Sequence, residues 1–356
     1  MYIGSATEMY SPELSDCVKN MSSFECPIIK PEHHEINNNN NRERPLRRSH
    51  FHQDKLLRRL NRDAVRRIGL HLQKPSSMKT KPFVKWLGGK TQLLPELRKR
   101  MPEHIGTYVE PFVGGGAFFM DVQQDNAILN DINPKLMNLY VSVRDHKKEL
   151  AASLYSYECE YNTLSGLDAK ADFYYKSRTE FNAGGHRTDL TIEDAAQLVF
   201  INKTCFNGLY RENAAGEFNA AFGKRMTVKL FEEENLHSCS DALQGVQVMT
   251  GDFENACQNL KPGDFVYFDP PYYSTFDGYQ KNGFSEDDHV RLHDLFERLT
   301  KSGISSMLSN SNTDFIKNLY AGYNIDVVPV KRNINRNGNA RHGEEVIIAN
   351  YKSNQI

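Results

Sequence analysis

At 356 residues the chain is long enough for about two domains, and its formal net charge of −1 excludes a uniformly basic surface while leaving room for a local basic cleft. The six cysteines, Cys17, Cys26, Cys159, Cys205, Cys239 and Cys257, have no C-x-x-C spacing, which argues against a zinc ribbon and for a reducing, cytoplasm-like compartment. Without a signal-peptide pattern or a run of ~18 apolar residues, the protein is expected to be neither secreted nor membrane-spanning.

Residues 1–77 differ from the rest. They carry an asparagine run at 37–41 and a basic excess, and 1–50 are expected to be largely disordered. Over 54–72 the apolar residues Leu56, Leu57, Leu60, Ala64 and Ile68 recur at helical spacing beneath Arg58, Arg59, Arg62, Arg66 and Arg67. That predicts a basic amphipathic helix, read either as a docked surface helix or as a DNA or partner contact. Pro75 breaks the pattern, and Met78 opens the region in which short apolar runs alternate with helical stretches. Strands are predicted at 107–110, 127–130, 246–250, 265–268, 304–308, 325–330 and 345–350, with helices at 134–154 and 285–301 and a helical cluster over 169–202. This is an α/β pattern in which 154–243 reads as a helical insertion between two core strands. The expected domains are therefore an extension over 1–77, a catalytic domain over 78–153 and 244–356, and an inserted subdomain over 154–243.

Three stretches carry chemistry. Lys85-Trp86-Leu87-Gly88-Gly89-Lys90-Thr91 ends like a phosphate-binding loop, but the early glycine such a loop requires is replaced by Val84. The segment from Tyr108 to Phe119, YVEPFVGGGAFF, reads as strand, glycine turn and helix start, a place where a ligand can approach the backbone. Asp131 follows at the end of the next strand, where an acidic side chain grips ribose hydroxyls. A nicotinamide oxidoreductase would need a third glycine where Phe119 stands, so a nucleoside without a pyrophosphate fits better. Finally, an apolar strand runs into Asp269-Pro270-Pro271-Tyr272. Two prolines stop the strand and can leave a carboxylate and a carbonyl in a cleft, both pure acceptors suited to an amine with two donors. An aromatic ring beside them can stack on the base carrying that amine.

Taken with NDIN, NKTCFNGLYREN, GEFNAAFG and GDF, these motifs resemble the DNA adenine N6-methyltransferases, above all the Dam-like, GATC-modifying type with a DPPY motif. The resemblance runs from about Met78 to Tyr351. It implies a Rossmann-like doubly wound mixed sheet of the S-adenosylmethionine-dependent methyltransferase type, with one reversed strand near the C-terminus and an inserted helical target-recognition domain. S-adenosyl-L-methionine is then the cofactor, contacted by Trp86, Gly88, Gly89, Lys90, Glu110, Phe112, Gly114, Gly116, Asp131, Asp252, Phe253 and Asp269. Asp269, Pro270, Pro271 and Tyr272 are the implied catalytic residues. The resemblance also assigns double-stranded DNA as partner, read by Lys85, Phe206, Asn207, Arg211, Asn213, Lys224 and Arg225. Family members with GATC specificity often carry Pro where Ala221 stands and Arg-Tyr in place of Lys224-Arg225, so the exact site is the open point.

Since the target amine lies inside a duplex, the base must be flipped out of the stack. A cytoplasmic, nucleoid-associated monomer or weak dimer is expected, with no metal and no membrane partner, in a restriction–modification, phage or housekeeping setting. The competing readings are the same chemistry on another DNA sequence or on RNA, and a catalytically silent DNA-binding regulator. His289 and His293 stand four apart on a predicted helix, but without the Glu of H-E-x-x-H they are read as an exposed helix face rather than a metal site.

Overall fold

In the computed structural model, residues 80–86, 88–184, 187–273, 284–331 and 342–352 are described. The polar stretch over 1–50, the basic amphipathic stretch over 54–72 and the boundary at 77–78 lie outside them.

The strand Phe265–Phe268 has all four side chains buried, and it lies at the middle of the sheet. A continuous apolar run of this kind belongs to a parallel strand covered on both faces. In chain order the elements are α1 (Leu94–Arg100), β1 (Tyr108–Glu110), α2 (Ala117–Val122), β2 (Ala127–Asp131), α3 (Pro134–Asp145), α4 (Lys147–Thr163), α5 (Gly166–Ala183), α6 (Ile192–Thr204) and α7 (Glu233–Ala242). They continue with β3 (Gln247–Thr250), α8 (Phe253–Ala256), β4 (Phe265–Phe268), α9 (Glu286–Lys301), β5 (Ser305–Ser311), α10 (Asp314–Leu319), β6 (Asn324–Lys331) and β7 (His342–Ala349).

Among the described residues the strands form one seven-stranded sheet in the order β3-β2-β1-β4-β5-β7-β6. All neighbours from β3 to β5 are parallel, and β7 runs antiparallel to both β5 and β6. The sheet is thus mixed and mostly parallel with one reversed strand, as the resemblance implies. Strand order reverses between β1 and β4, which pair Tyr108 with Phe265 and Val109 with Val266. In open α/β sheets the crevice at such a switch point is where ligands bind. The two motifs singled out in the sequence leave from the C-terminal ends of these two strands.

The helices start where local chemistry caps them. Asn133 accepts hydrogen bonds from the Lys135 and Leu136 amides ahead of Pro134 in the first turn of α3, while Thr191–Asp194 and Ser285–Asp288 form capping boxes for α6 and α9. The single helix expected over 134–154 is in fact two. His146 leaves helical geometry (φ −131°, ψ 35°), and no side chain from Arg144 to Glu149 is buried. With no apolar contact to hold that turn, the chain is free to change direction there.

Four helices, α4 to α7, together with a long irregular stretch, separate the β2–α3 unit from β3. Their core is aromatic: Phe200 stacks on Tyr157 at 5.1 Å and meets Phe173 edge-on at 5.3 Å. The segment after α6 folds back through antiparallel bridges Cys205–Phe222 and Glu212–Phe218, so the hairpin-like loop expected at 204–225 is present. Among the described residues, no helix is long and apolar enough to cross a membrane.

Candidate active site

β4 carries Asp269 into the crevice, and Pro270 and Pro271 end the strand there by removing two N–H donors. Asp269 Oδ1 is 2.6 Å from Lys90 Nζ and accepts a 3.0 Å hydrogen bond from Ser309 Oγ. The same ammonium donates to the Gly88 carbonyl at 2.6 Å and lies 4.4 Å from the centre of the Tyr272 ring. Its three donors therefore face a carboxylate, a carbonyl and a π-face, which is how a lysine can be buried while charged. Burial pushes the Asp269 carboxyl upward, and the Lys90 charge and the Lys90 and Ser309 hydrogen bonds pull it back. Tyr267 and Ser309 share a hydrogen bond at 2.9 Å, the Tyr272 hydroxyl donates to Glu345 Oε2 at 2.7 Å, and the Tyr273 amide donates to Asn310 Oδ1 at 3.0 Å. The turn after β4 is thus pinned onto β5 and β7.

On the other side of the switch point β1 ends in Glu110, whose carboxylate accepts from the Tyr108 hydroxyl. Glu110 is only 3% exposed, so it lies beneath the crevice. Burial pushes its carboxyl up to about 8 against the opposing pull of the Tyr108 hydrogen bond. Next comes the glycine turn, where two positions require glycine. A Cβ on Gly116 (φ +67°) would sit 2.3 Å from the Tyr140 hydroxyl, and one on Gly114 (φ +48°) 2.9 Å from Trp86 Cδ1. The Gly114 amide donates to Asp131 Oδ2 at 3.0 Å and the Asn133 amide to Asp131 Oδ1 at 2.9 Å, which holds that carboxylate at the end of β2. Burial raises the Asp131 carboxyl, and these amides oppose it. Phe112 stacks on Phe253 at 5.2 Å and meets Phe284 edge-on at 5.6 Å. Asp252 caps α8 through the Glu254 amide and pairs with Arg291 at 2.6 Å.

This set fits a nucleoside-bearing ligand without a pyrophosphate. A fixed carboxylate offers acceptors for ribose hydroxyls, the glycine turn admits close approach, and the phenylalanine cluster supplies flat apolar surface. Gly88 and Gly89 are exposed at the rim, and Trp86 covers Gly114 and Gly115.

The remaining predicted site residues lie on the loop after α6 and beside it. Phe206 is 60% exposed, and Asn207 (φ +60°), Arg211, Lys224, Arg225 and Lys85 are exposed as well. Arg211 is held by its Nε, which donates to Asn219 Oδ1 at 2.7 Å. Asn213 differs from these. Its amide is engaged inside the loop, donating to Glu217 and accepting from the Ala215 and Glu217 amides.

One expectation is corrected. His289 does not lie on an exposed face: it is 1% exposed, packed against Phe284 at 4.8 Å and Tyr273 at 5.8 Å, and burial lowers its pKa to about 4. The aromatic residues of the turn after β4 and of the segment before α9 draw this face of the helix inward. Among the described residues, no three His, Cys, Asp or Glu side chains gather as a metal site. Ser309, Glu345, Asn202 and Tyr210 were not singled out in the sequence. Only the polar run Ser309-Asn310-Ser311 directly after an apolar strand could have drawn attention to the first of them.

A reversed strand beside a parallel doubly wound sheet, a glycine turn facing the Asp131 carboxylate, and an Asp-Pro-Pro-Tyr turn across the switch point match a methyltransferase of the α/β class. The sequence model of the family described as D12 class N6 adenine-specific DNA methyltransferase matches residues 86–334, and the chain belongs to that family. It is 41% identical over 291 residues to the type II methyltransferase M.MjaIII of Methanocaldococcus jannaschii, an alignment covering 77% of this chain and 100% of that protein. It is 34% identical over 290 residues to the type II methyltransferase M1.LlaDCHI of Lactococcus lactis subsp. cremoris, covering 79% and 99% of the two chains. The DNA adenine methylase of Escherichia coli K12 is 30% identical over 282 residues, 77% of this chain and 96% of its own.

Proposed function

We propose that the protein transfers a methyl group from S-adenosylmethionine to the exocyclic N6 amine of an adenine flipped out of duplex DNA, within the sequence GATC. The observation that carries this reading is the Asp269–Tyr272 turn, a fixed carboxylate beside a fixed aromatic ring at the switch point. Bound S-adenosylmethionine supplies an electrophilic sulfonium methyl. Asp131 is its ribose acceptor, with Trp86, Gly88, Gly89, Lys90, Phe112, Gly114, Gly116, Asp252 and Phe253 around it and Glu110 supporting from below.

The adenine amine is a weak nucleophile because its lone pair is delocalised into the ring. Asp269 and the Pro270 carbonyl accept hydrogen bonds from its two N–H groups, which favours a pyramidal nitrogen with its lone pair aimed at the methyl group, and the nitrogen gives up one of these protons to solvent once the new N–C bond has formed. Tyr272 stacks on the base, and Pro271 fixes the turn. Residues 154–243 act as the target-recognition subdomain: Phe206 fills the space the flipped base leaves, while Asn207, Arg211, Lys224 and Arg225 meet the duplex and Lys85 approaches from the cofactor loop. The test is transfer of labelled methyl groups to duplexes that carry GATC or a single-base change of it. Label on adenine only in the GATC duplex is the expected result. Label on all duplexes would discard the site, and label on none would discard the reaction.

A further inference from the structure

Asn202, in the last turn of α6, is wholly buried. Its side-chain amide pairs with the backbone of Lys85 in both directions: the Lys85 amide donates to Asn202 Oδ1 at 3.0 Å, and Asn202 Nδ2 donates to the Lys85 carbonyl at 2.9 Å. Asn202 Nδ2 also reaches the Gly208 carbonyl at 3.4 Å. One amide carried on a rigid helix thus holds two loops that are far apart in sequence. They are pressed together as well, because a Cβ on Gly208 (φ +66°) would stand 2.6 Å from Lys85 Cδ. One residue on from Lys85 and two on from Gly208, the link is repeated by rings. Trp86 stacks on Tyr210 with centroids 4.6 Å apart and planes 21° apart, and Trp86 in turn lies over Gly114 and Gly115 of the glycine turn. Phe206 and Asn207, on the outer side of the clamp, are exposed.

We infer that Asn202 is a positioning residue that ties the loop over the cofactor to the loop that meets DNA, so that each ligand binds more tightly when the other is present. The inference rests on the roles proposed above for Lys85, Trp86 and Phe206. Physically, an amide that satisfies three backbone groups cannot follow one loop without dragging the other, since breaking either set leaves buried donors or acceptors unpaired. A ligand that orders one loop thereby orders part of the surface its companion needs.

Trp86 is the one tryptophan of the chain, so its emission reports on this junction directly. The experiment measures the dissociation constant of S-adenosylhomocysteine with and without a GATC duplex, and the change in Trp86 emission when duplex alone is added. Both are measured for the full chain and for Asn202→Ala and Asn202→Asp, with thermal unfolding as a check on folding. The aspartate keeps an acceptor for the Lys85 amide but has no donor for the two carbonyls, so it serves should the alanine variant fail to fold. The expected wild-type coupling is about fivefold or more. In either variant it falls to near one, and the DNA-driven emission change is lost while both ligands still bind singly. Unchanged coupling in a folded variant overturns the inference, as does a wild-type protein that binds both ligands independently. Failure of the wild type to bind either ligand would instead sink the proposed function, and the inference with it.

Discussion

Lys90 Nζ stands 2.6 Å from Asp269 Oδ1 and 4.4 Å from the Tyr272 ring centre, so a single ammonium joins the loop proposed to cover the cofactor to the turn proposed to receive the target base. Burial drives the Asp269 carboxyl up, and Lys90 is the first of the groups that oppose it. Lys90→Met removes that opposition and therefore raises the carboxyl further. As Asp269 accepts best from the amine in its ionised form, the acidic limb of the profile of kcat/KM against pH is expected to move to higher pH, with the loss of activity greatest at the acidic end of the profile. A uniform loss at every pH would show that Lys90 acts only in binding.

Asp269→Ala removes the acceptor while leaving the surfaces proposed for DNA contact, Phe206 and Arg211, in place. Methyl transfer is expected to fall by at least ~10²–10³, the scale for losing one preorganised hydrogen-bonding partner of a reacting group. Duplex binding, measured by gel shift or anisotropy, should stay within about threefold. Unchanged turnover would remove Asp269 from the mechanism.

How much of this was legible in the chain depends on which way each residue faces. The apolar run of β4 and the Asp-Pro-Pro-Tyr turn declare themselves, because two prolines after a hydrophobic strand have few other readings. Strand β5 runs three residues beyond the end its apolar pattern predicts. Ser309, Asn310 and Ser311 look like loop, yet Ser309 and Asn310 are fully buried, the Ser309 hydroxyl donating to Asp269 and Asn310 Oδ1 accepting from the Tyr273 amide. A polar residue that is buried for a partner distant in sequence leaves no periodic trace. The same holds for Asn202, whose partner is Lys85, and the half-buried Glu345 likewise takes its place from a distant partner, Tyr272. His289 shows the reverse: helical spacing assigns this polar residue to solvent, but the aromatic rings of other segments cover it.

Glu345 on β7 accepts from the Tyr272 hydroxyl at 2.7 Å and so anchors the far end of the ring proposed to stack on adenine. A hydrogen bond to a charged acceptor contributes about 1.5–3 kcal/mol. Glu345→Ala should lower kcat by roughly tenfold to a hundredfold, with the dissociation constant of the cofactor unchanged. Glu345→Gln keeps an acceptor and should recover most of the rate. Equal loss in both variants would mean that the charge, rather than the orientation of Tyr272, is what matters.

Arg211 is oriented before any ligand arrives, because Asn219 accepts from both its Nε and its Nη2. A guanidinium fixed in this way suits bidentate contact with a guanine edge, worth about 1–3 kcal/mol of discrimination. Arg211→Ala should therefore reduce the preference for GATC over a duplex altered at one guanine by about tenfold, read as a ratio of kcat/KM values. A variant that loses activity equally on both duplexes would assign Arg211 to the phosphate backbone instead.

Glu110 makes a prediction about stability rather than rate. Its carboxyl is pushed from 4.5 up to about 8, first by burial, so the folded protein holds that proton more tightly than the unfolded chain does. A carboxyl shifted in this direction contributes its full stabilisation below the unfolded value, and the contribution drains away as pH rises towards the folded value. Wild-type protein should thus lose stability between about pH 5 and pH 8 relative to Glu110→Gln, which keeps the shape and an acceptor for Tyr108 but carries no titrating proton. Thermal unfolding of the two proteins across that range is the measurement. A difference in Tm that moves steadily in favour of the glutamine variant would place a neutral Glu110 under the crevice. A flat difference would mean that Glu110 is ionised when folded, with its charge balanced by Lys90 across the site.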